Sequence, residues 1–135
     1  MFFDINPSNG VPVYEQVTRQ VKFAIANGAY EAGQMIPSVR EMARNLAINP
    51  NTVARAYRQL QDEQVVETVR GSGLAVSSGA KSVCRTERSK LVRQRIVAVL
   101  QEAIQSQLGA DDIRQIMEQE LDRLASKRLS QRNTS

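Results

Sequence analysis

Two helix-start signals lie so close together in this sequence that only one short helix fits between them. Ser38-Val39-Arg40-Glu41 reads as a capping box, in which the serine side chain accepts from the Glu41 N–H and the glutamate reaches back to Ser38. Asn49-Pro50 is the second start. Asparagine is a good N-cap, and proline at the first helical position lacks only an N–H that would have no partner anyway. A helix entering at Ser38 therefore has room for about two turns before the chain must start again. Val39, Met42, Ala43 and Leu46 form the inner face of the first helix, and the small Ala43 allows a close crossing. In the second, Val53, Ala56, Tyr57 and Leu60 point one way, leaving Asn51, Ala54, Arg55 and Arg58 opposite. Two short helices joined by a tight turn make a helix-turn-helix, whose second helix is shaped to enter a DNA major groove.

The flanking segments complete a recognisable unit. Pro12 opens an earlier helix whose Tyr14, Val17, Val21 and Ile25 form one apolar stripe, and Asn27-Gly28 supplies its stop. A loop containing Gly33 and Pro37 follows. After the helix-turn-helix, the β-rich runs Val65–Val69 and Leu74–Val76 flank Arg70-Gly71-Ser72-Gly73, a hairpin in the position of a wing. The expected fold is mostly α with a small β-wing. It comprises a winged helix-turn-helix over 1–78, a polar linker over 79–86, a two-helix dimerisation segment over 87–127, and a flexible tail over 128–135.

The two C-terminal helices carry Val92, Ile96, Val99, Leu100 and Ile104, then, past Gly109, Ile113, Ile116, Met117, Leu121 and Leu124. Two amphipathic helices cannot bury their own stripes. They either pack back on the first domain or pair with a second chain, and core and homodimer seam are the default over an effector site. A pocket for a small-molecule effector, unidentified, is expected near the linker.

Composition narrows the function. The chain has no histidine, which removes Ser-His-Asp and Cys-His catalysis and most zinc sites. No Asp/Glu pair lies in a plausible catalytic setting, so neither an enzyme, a metal site nor a cofactor is expected. The longest apolar run, Ile96–Leu100, is far short of the roughly 20 residues of a membrane span. The first residues lack a basic region and meet Asp4 at once, unlike a secretory signal. Lone Cys84 fits a reducing compartment and reads as a passive thiol rather than an oxidant sensor. These features point to the cytoplasm.

The net charge is +4, unevenly placed: residues 1–80 carry seven Lys/Arg and seven Asp/Glu, whereas 81–135 carry eleven and seven. Within the balanced part, Arg40, Arg44, Arg55 and Arg58 face only Glu41 between Ser38 and Arg58. One basic stretch on a neutral domain suits a phosphate-facing surface. The run Lys81, Arg85, Arg88, Lys90, Arg93 and Arg95 reads as a solvated helix face, with an extended DNA footprint as the other reading.

From Pro12 to about Ser77 the chain resembles the GntR family of bacterial regulators. The resemblance rests on Pro12-Val-Tyr-Glu-Gln-Val17, Tyr30-x-x-Gly33, Ile36-Pro-Ser-Val-Arg40-Glu-Met-Ala43, Asn51-Thr-Val53, Arg55-Ala-Tyr57 and Gly71-Ser-Gly73, in family order and spacing. The short C-terminal part, with Asn49-Pro-Asn-Thr-Val53, is similar to the family's short YtrA-type subfamily. The resemblance implies a dimer held by C-terminal helices, an inverted-repeat operator in double-stranded DNA, and repression of a neighbouring operon, often of an ABC transporter. It also implies that Arg40 contacts phosphate or guanine and that Thr52 contacts the backbone. Ser38, Asn49 and Asn51 stand at the same helix starts, and one of the two asparagines is expected to serve only as a cap. Where better-studied members carry base-reading arginines, this chain has Pro50 and Ala54, so their base code does not transfer. Arg55 becomes the candidate base reader and Arg58 a phosphate contact. Arg70, Gly71 and Gly73 either let the wing approach the minor groove or simply form a tight turn. A winged-helix module that docks protein, and an architectural DNA protein without site preference, are the other readings.

Overall fold

The computed structural model describes residues 5–133, the side chains of 129–133 excepted. The chain forms α1 (Val13–Ala26), α2 (Val39–Leu46), α3 (Pro50–Asp62), β1 (Val66–Val69), β2 (Gly73–Val76), α4 (Ala80–Gln105) and α5 (Ala110–Asn133). The mostly helical class with a small antiparallel wing is therefore as the sequence predicts.

Local chemistry sets the helix starts. Ser38 Oγ accepts from the Glu41 N–H at 3.1 Å, and Asn49 Oδ1 accepts from the Asn51 N–H at 2.8 Å. The reciprocal half of the capping box, Glu41 back to Ser38, is absent from the hydrogen bonds of the described residues. Between the two starts the chain reverses through Ala47, held in the left-handed region at φ 54°, with the Ile48 N–H donating to the Ala43 carbonyl at 3.0 Å. Non-glycine residues rarely adopt this conformation, so the turn is held by the packing on either side of it.

The core of the first unit, which extends to Lys90, joins Val21 and Ile25 of α1 to Met42 of α2 and to Val53, Tyr57 and Leu60 of α3. The Tyr57 hydroxyl donates to the Pro37 carbonyl at 2.8 Å, tying α3 to the segment that leads into α2. Burial, followed by the nearby Tyr30 and Glu41, pushes the Tyr57 pKa upward, so the ring stays a neutral hydrogen-bond donor.

The wing has an unforeseen third member. β1 and β2 pair from Val66↔Val76 to Val69↔Gly73. On the other edge of β2, the Gly33 N–H donates to the Val76 carbonyl at 2.8 Å and the Ile36 N–H to the Leu74 carbonyl at 2.9 Å. The stretch read as a loop thus pairs with β2 through Met35 and Ala75. It is too short to show alternation in sequence.

The linker expected over 79–86 is a correction: it is the start of α4, which begins at Ala80 rather than at 87. Ala80 and Cys84 lie one turn apart and both bury against the core, which outweighs the polar character of the residues between them. The Arg85 Nε–H donates to the Ala26 carbonyl at 3.1 Å, and the Arg88 guanidinium donates to the Asn27 side chain, so both meet the C-terminal end of α1. Lys22 of α1, with its side chain 13% exposed, sits 2.6 Å from Glu63 and 2.8 Å from Glu87, joining α1, the end of α3 and α4.

From Leu91 onward the chain forms a second unit, an α4–α5 hairpin. Leu108 donates to the Ala103 carbonyl after Gln107 turns through φ 66°, and Asp111 pairs with Arg114 at 3.0 Å in the first turn of α5. α5 runs to Asn133, through the first part of the segment 128–135 expected as a flexible tail. No glycine or proline interrupts the sequence after Ala110, and Lys, Arg and Gln are good helix formers. Thr134 and Ser135, also part of that expected tail, lie outside the described residues.

Two outcomes test this account. Tyr57→Phe removes only the hydroxyl and leaves the Pro37 carbonyl without its donor, so urea unfolding should show a loss of about 1 kcal/mol. An unchanged midpoint would show that the bond contributes nothing. Burial opposes the Lys22 charge, but the hydrogen bonds and charges of Glu63 and Glu87 outweigh it, so its pKa is raised. Its stabilisation is therefore complete below the ordinary lysine range and lost as pH rises through the raised value. Lys22→Met should cost about 1–2 kcal/mol near neutrality. The gap from wild type should close at strongly alkaline pH, and a gap that persists there would rule out the charge as its source.

Candidate nucleic-acid interface

The face of α3 opposite its buried side, the outer side of α2 and the wing tip present the expected side chains. Arg40, Arg44, Arg55, Arg58 and Arg70 are all exposed. Among the described residues, none of the five has a carboxylate within ion-pair distance. Arg19, Lys81, Arg114 and Arg123 each have one, and Lys22 has two. Cations left without partners on one set of elements are available to an external anion.

The polar residues at the helix starts divide by role. Asn49 is the cap of α3, its side-chain oxygen occupied by the Asn51 N–H. Asn51 is exposed, and Thr52 is half-buried at the same helix start. Ser38 caps α2 as an acceptor, which leaves its O–H free to donate.

In the wing, the Ser72 N–H donates to the Val69 carbonyl at 2.9 Å and closes the turn. Gly71 lies at φ 78°, and no atom approaches within 4 Å of where a side chain would begin. Gly73 differs: at φ 117° its missing Cβ would meet Met35 Cε at 3.3 Å. Gly73 thus serves the packing of the wing, while Gly71 leaves the tip open. Gln61 Nε2 donates to Thr68 Oγ1 at 3.0 Å, tying β1 to α3.

Two features escaped the sequence reading. Tyr14, read as part of a core stripe, is only half-buried, and its ring lies under the Arg55 guanidinium with 3.8 Å between Arg55 Cζ and the ring centroid. The two residues are far apart in sequence and meet only because α1 packs on α3, so no local pattern announces the pair. The second is that the start of the basic run after the wing finds partners within the fold. Lys81 faces Glu31 at 3.8 Å, while Arg85 and Arg88 meet the end of α1, so these three have partners within the fold, and Arg85, Lys90, Arg93 and Arg95 are exposed as expected of a solvated face.

In the second unit, Ile96, Val99, Leu100, Ile113, Ile116 and Met117 line an apolar groove of about 290 Å³ between α4 and α5, with Arg95 at its margin. It lies in the hairpin, and a second, more polar cavity lined by Gln61, Gln64, Val66, Glu67, Thr68, Ser77 and Ser78 adjoins the segment near which an effector pocket was expected. Among the expected seam residues, Ile113 is buried and Leu100 is half-buried, while Val92, Ile96, Val99, Ile104, Met117, Leu121 and Leu124 are exposed. Burial pushes the Cys84 thiol up to about 11, with Glu87 adding to the effect, which keeps it a protonated, unreactive thiol. Among the described residues no cluster suited to a metal ion occurs, and no helix is long and apolar enough to cross a membrane.

Residues 13–76 match the family of bacterial regulatory proteins, gntR family. The chain is 34% identical over 99 residues to the HTH-type transcriptional repressor YtrA of Bacillus subtilis, covering 73% of this chain and 76% of that protein. Its fold resembles a GntR family transcriptional regulator from Listeria monocytogenes, with a TM-score of 0.67 and 26% identity, covering 83% of this chain and 97% of that one. A transcriptional regulator from Oenococcus oeni superposes with a TM-score of 0.65 and 29% identity, covering 89% of this chain and 99% of the other. With its winged helix-turn-helix and these relatives, the chain belongs to the GntR family of DNA-binding transcription regulators.

Proposed function

We propose that this protein is a dimeric repressor that binds an inverted-repeat operator through α2, α3 and the wing. The observation that carries the reading is the set of five exposed arginines without carboxylate partners on those elements. Arg55 reads a base edge in the major groove. Arg40 and Arg58 hold phosphate, as do Ser38, Asn51 and Thr52 at the helix starts, where backbone N–H groups and the helix dipole favour an anion. Asn49 acts there as a cap. Arg70 reaches from the wing beside the open backbone of Gly71. The regulated genes lie beside its own, an ABC transporter operon being the kind that its resemblance implies.

One such module makes too few contacts to compete with bulk DNA, so two are needed. The exposed stripe of Val99, Ile104, Leu121 and Leu124 supplies the means: a second copy covers it and the groove between α4 and α5. Side chains that are 63% exposed at Val99 and 65% at Leu121 contribute little to the fold of one chain, which supports their burial by another.

Selection of bound duplexes from a random pool, followed by anisotropy titration at several salt concentrations, tests the reading. The selected duplexes should carry an inverted repeat with half-sites about 10 base pairs apart, or a multiple of that spacing. They should bind about a thousandfold or more tightly than shuffled DNA. Arg55→Ala should cost about 1–3 kcal/mol on the selected duplex and relax its preference, whereas Arg58→Ala should weaken all duplexes alike and flatten the salt dependence. Equal binding to every duplex would indicate an architectural protein, and weak, salt-insensitive binding would indicate a protein-docking module. Leu121→Glu should give a monomer in sedimentation whose first unit keeps its fold, and lose operator affinity by about tenfold or more. A Leu121→Glu dimer would place the seam elsewhere.

A further inference from the structure

We infer that Tyr14 is a positioning residue for the base-reading arginine, so that the first turn of α1 takes part in operator recognition. The inference rests on the operator reading above. An exposed arginine on a helix has many rotamers, and ordering them on binding opposes affinity. Here the guanidinium already rests on the Tyr14 ring, 3.8 Å from its centroid. A guanidinium that lies flat on a ring at this distance is engaged only through its face. Its N–H donors point outward in the plane and stay free for a two-bond contact with the O6 and N7 atoms of a guanine. The stack therefore orients the donor edge without consuming a donor.

The surroundings support a fixed ring. Tyr14 sits in the first turn of α1, next to Val17, which is fully buried. Its hydroxyl donates to Glu15 Oε1 at 3.3 Å, and Glu15 lies 3.9 Å from Arg19. Arg55 has no ion-pair partner among the described residues, so the ring is what holds it. A lysine at position 55 would keep the charge but lose the planar face, and the arginine is thus matched to the tyrosine.

The test is a double-mutant cycle read on the duplex that the protein itself selects and on a shuffled duplex. Tyr14→Leu should weaken the selected duplex roughly two- to fivefold, the range of a cation–π contact, and leave the shuffled one unchanged. In the Arg55→Ala background the same change should have no further effect, and Tyr14→Phe should retain the wild-type preference. A loss in fold common to both backgrounds cancels in the cycle. In the free protein, the Arg55 Nε–H proton should be shifted upfield in NMR spectra by the ring and return toward its ordinary position in Tyr14→Leu. Additive losses, equal loss on both duplexes, or an unshifted proton would overturn the inference while leaving the operator reading intact. A wild-type protein that selects no duplex would instead overturn the operator reading itself, and this inference with it.

Discussion

Val53, Tyr57 and Leu60 fill the buried side of α3, and that burial sets the rotation of the helix about its own axis. A helix with one face fixed in a core has no freedom in what its other face displays, because successive side chains are separated by a fixed angle. Arg55 and Arg58 are therefore exposed as a consequence of where Val53 and Tyr57 are buried. The Tyr57 hydroxyl extends the same constraint to α2 by holding the Pro37 carbonyl. Lys22, between Glu63 and Glu87, fixes the far end of α3 against α1 and α4. The exposed face of α3 is thus held in place because its reverse side is packed and pinned at both ends.

What could be read in the sequence follows from the range of the interactions. The starts of α2 and α3 were legible because Ser38 and Asn49 act on N–H groups only two or three residues away. The faces of α3 were legible for a similar reason, since periodicity alone separates Val53 and Tyr57 from Arg55 and Arg58. The strand-like pairing at Met35 was not, because its partners at Leu74 and Val76 lie in a distant hairpin. The start of α4 was hidden by Ser-Ser-Gly-Ala-Lys-Ser, a composition that local rules assign to a linker and that the core overrides through Ala80 and Cys84. At the candidate site, the arginines came from pattern and resemblance, whereas the ring beneath Arg55 came only from the packing of α1 on α3.

The basic residues illustrate how position decides meaning. Arg85 and Arg88 belong, by composition, to the same kind of run as the arginines of α2 and α3. In the fold they meet carbonyl and amide oxygens at the end of α1, where the helix dipole is negative. Arg40, Arg58 and Arg70 have no such oxygen in reach among the described residues. A count of charges along the sequence does not separate the two groups, whereas the presence of an internal partner does.

The two units also differ in what they need to persist. The first has a core of its own, built from three helices and the sheet. The hairpin of the second leaves Val99, Ile104, Leu121 and Leu124 in water, a burden that an isolated pair of helices does not offset with Ile113 alone. On the proposed dimer, the apolar surface released by pairing is what stabilises the hairpin, so its stability depends on protein concentration in a way that the first unit's does not. Operator DNA that binds two modules at once would then favour the paired hairpin as well, because each event prepays the entropy of the other. The exposed seam and the unpartnered arginines, though carried by separate units, would in that case be two halves of one binding equilibrium.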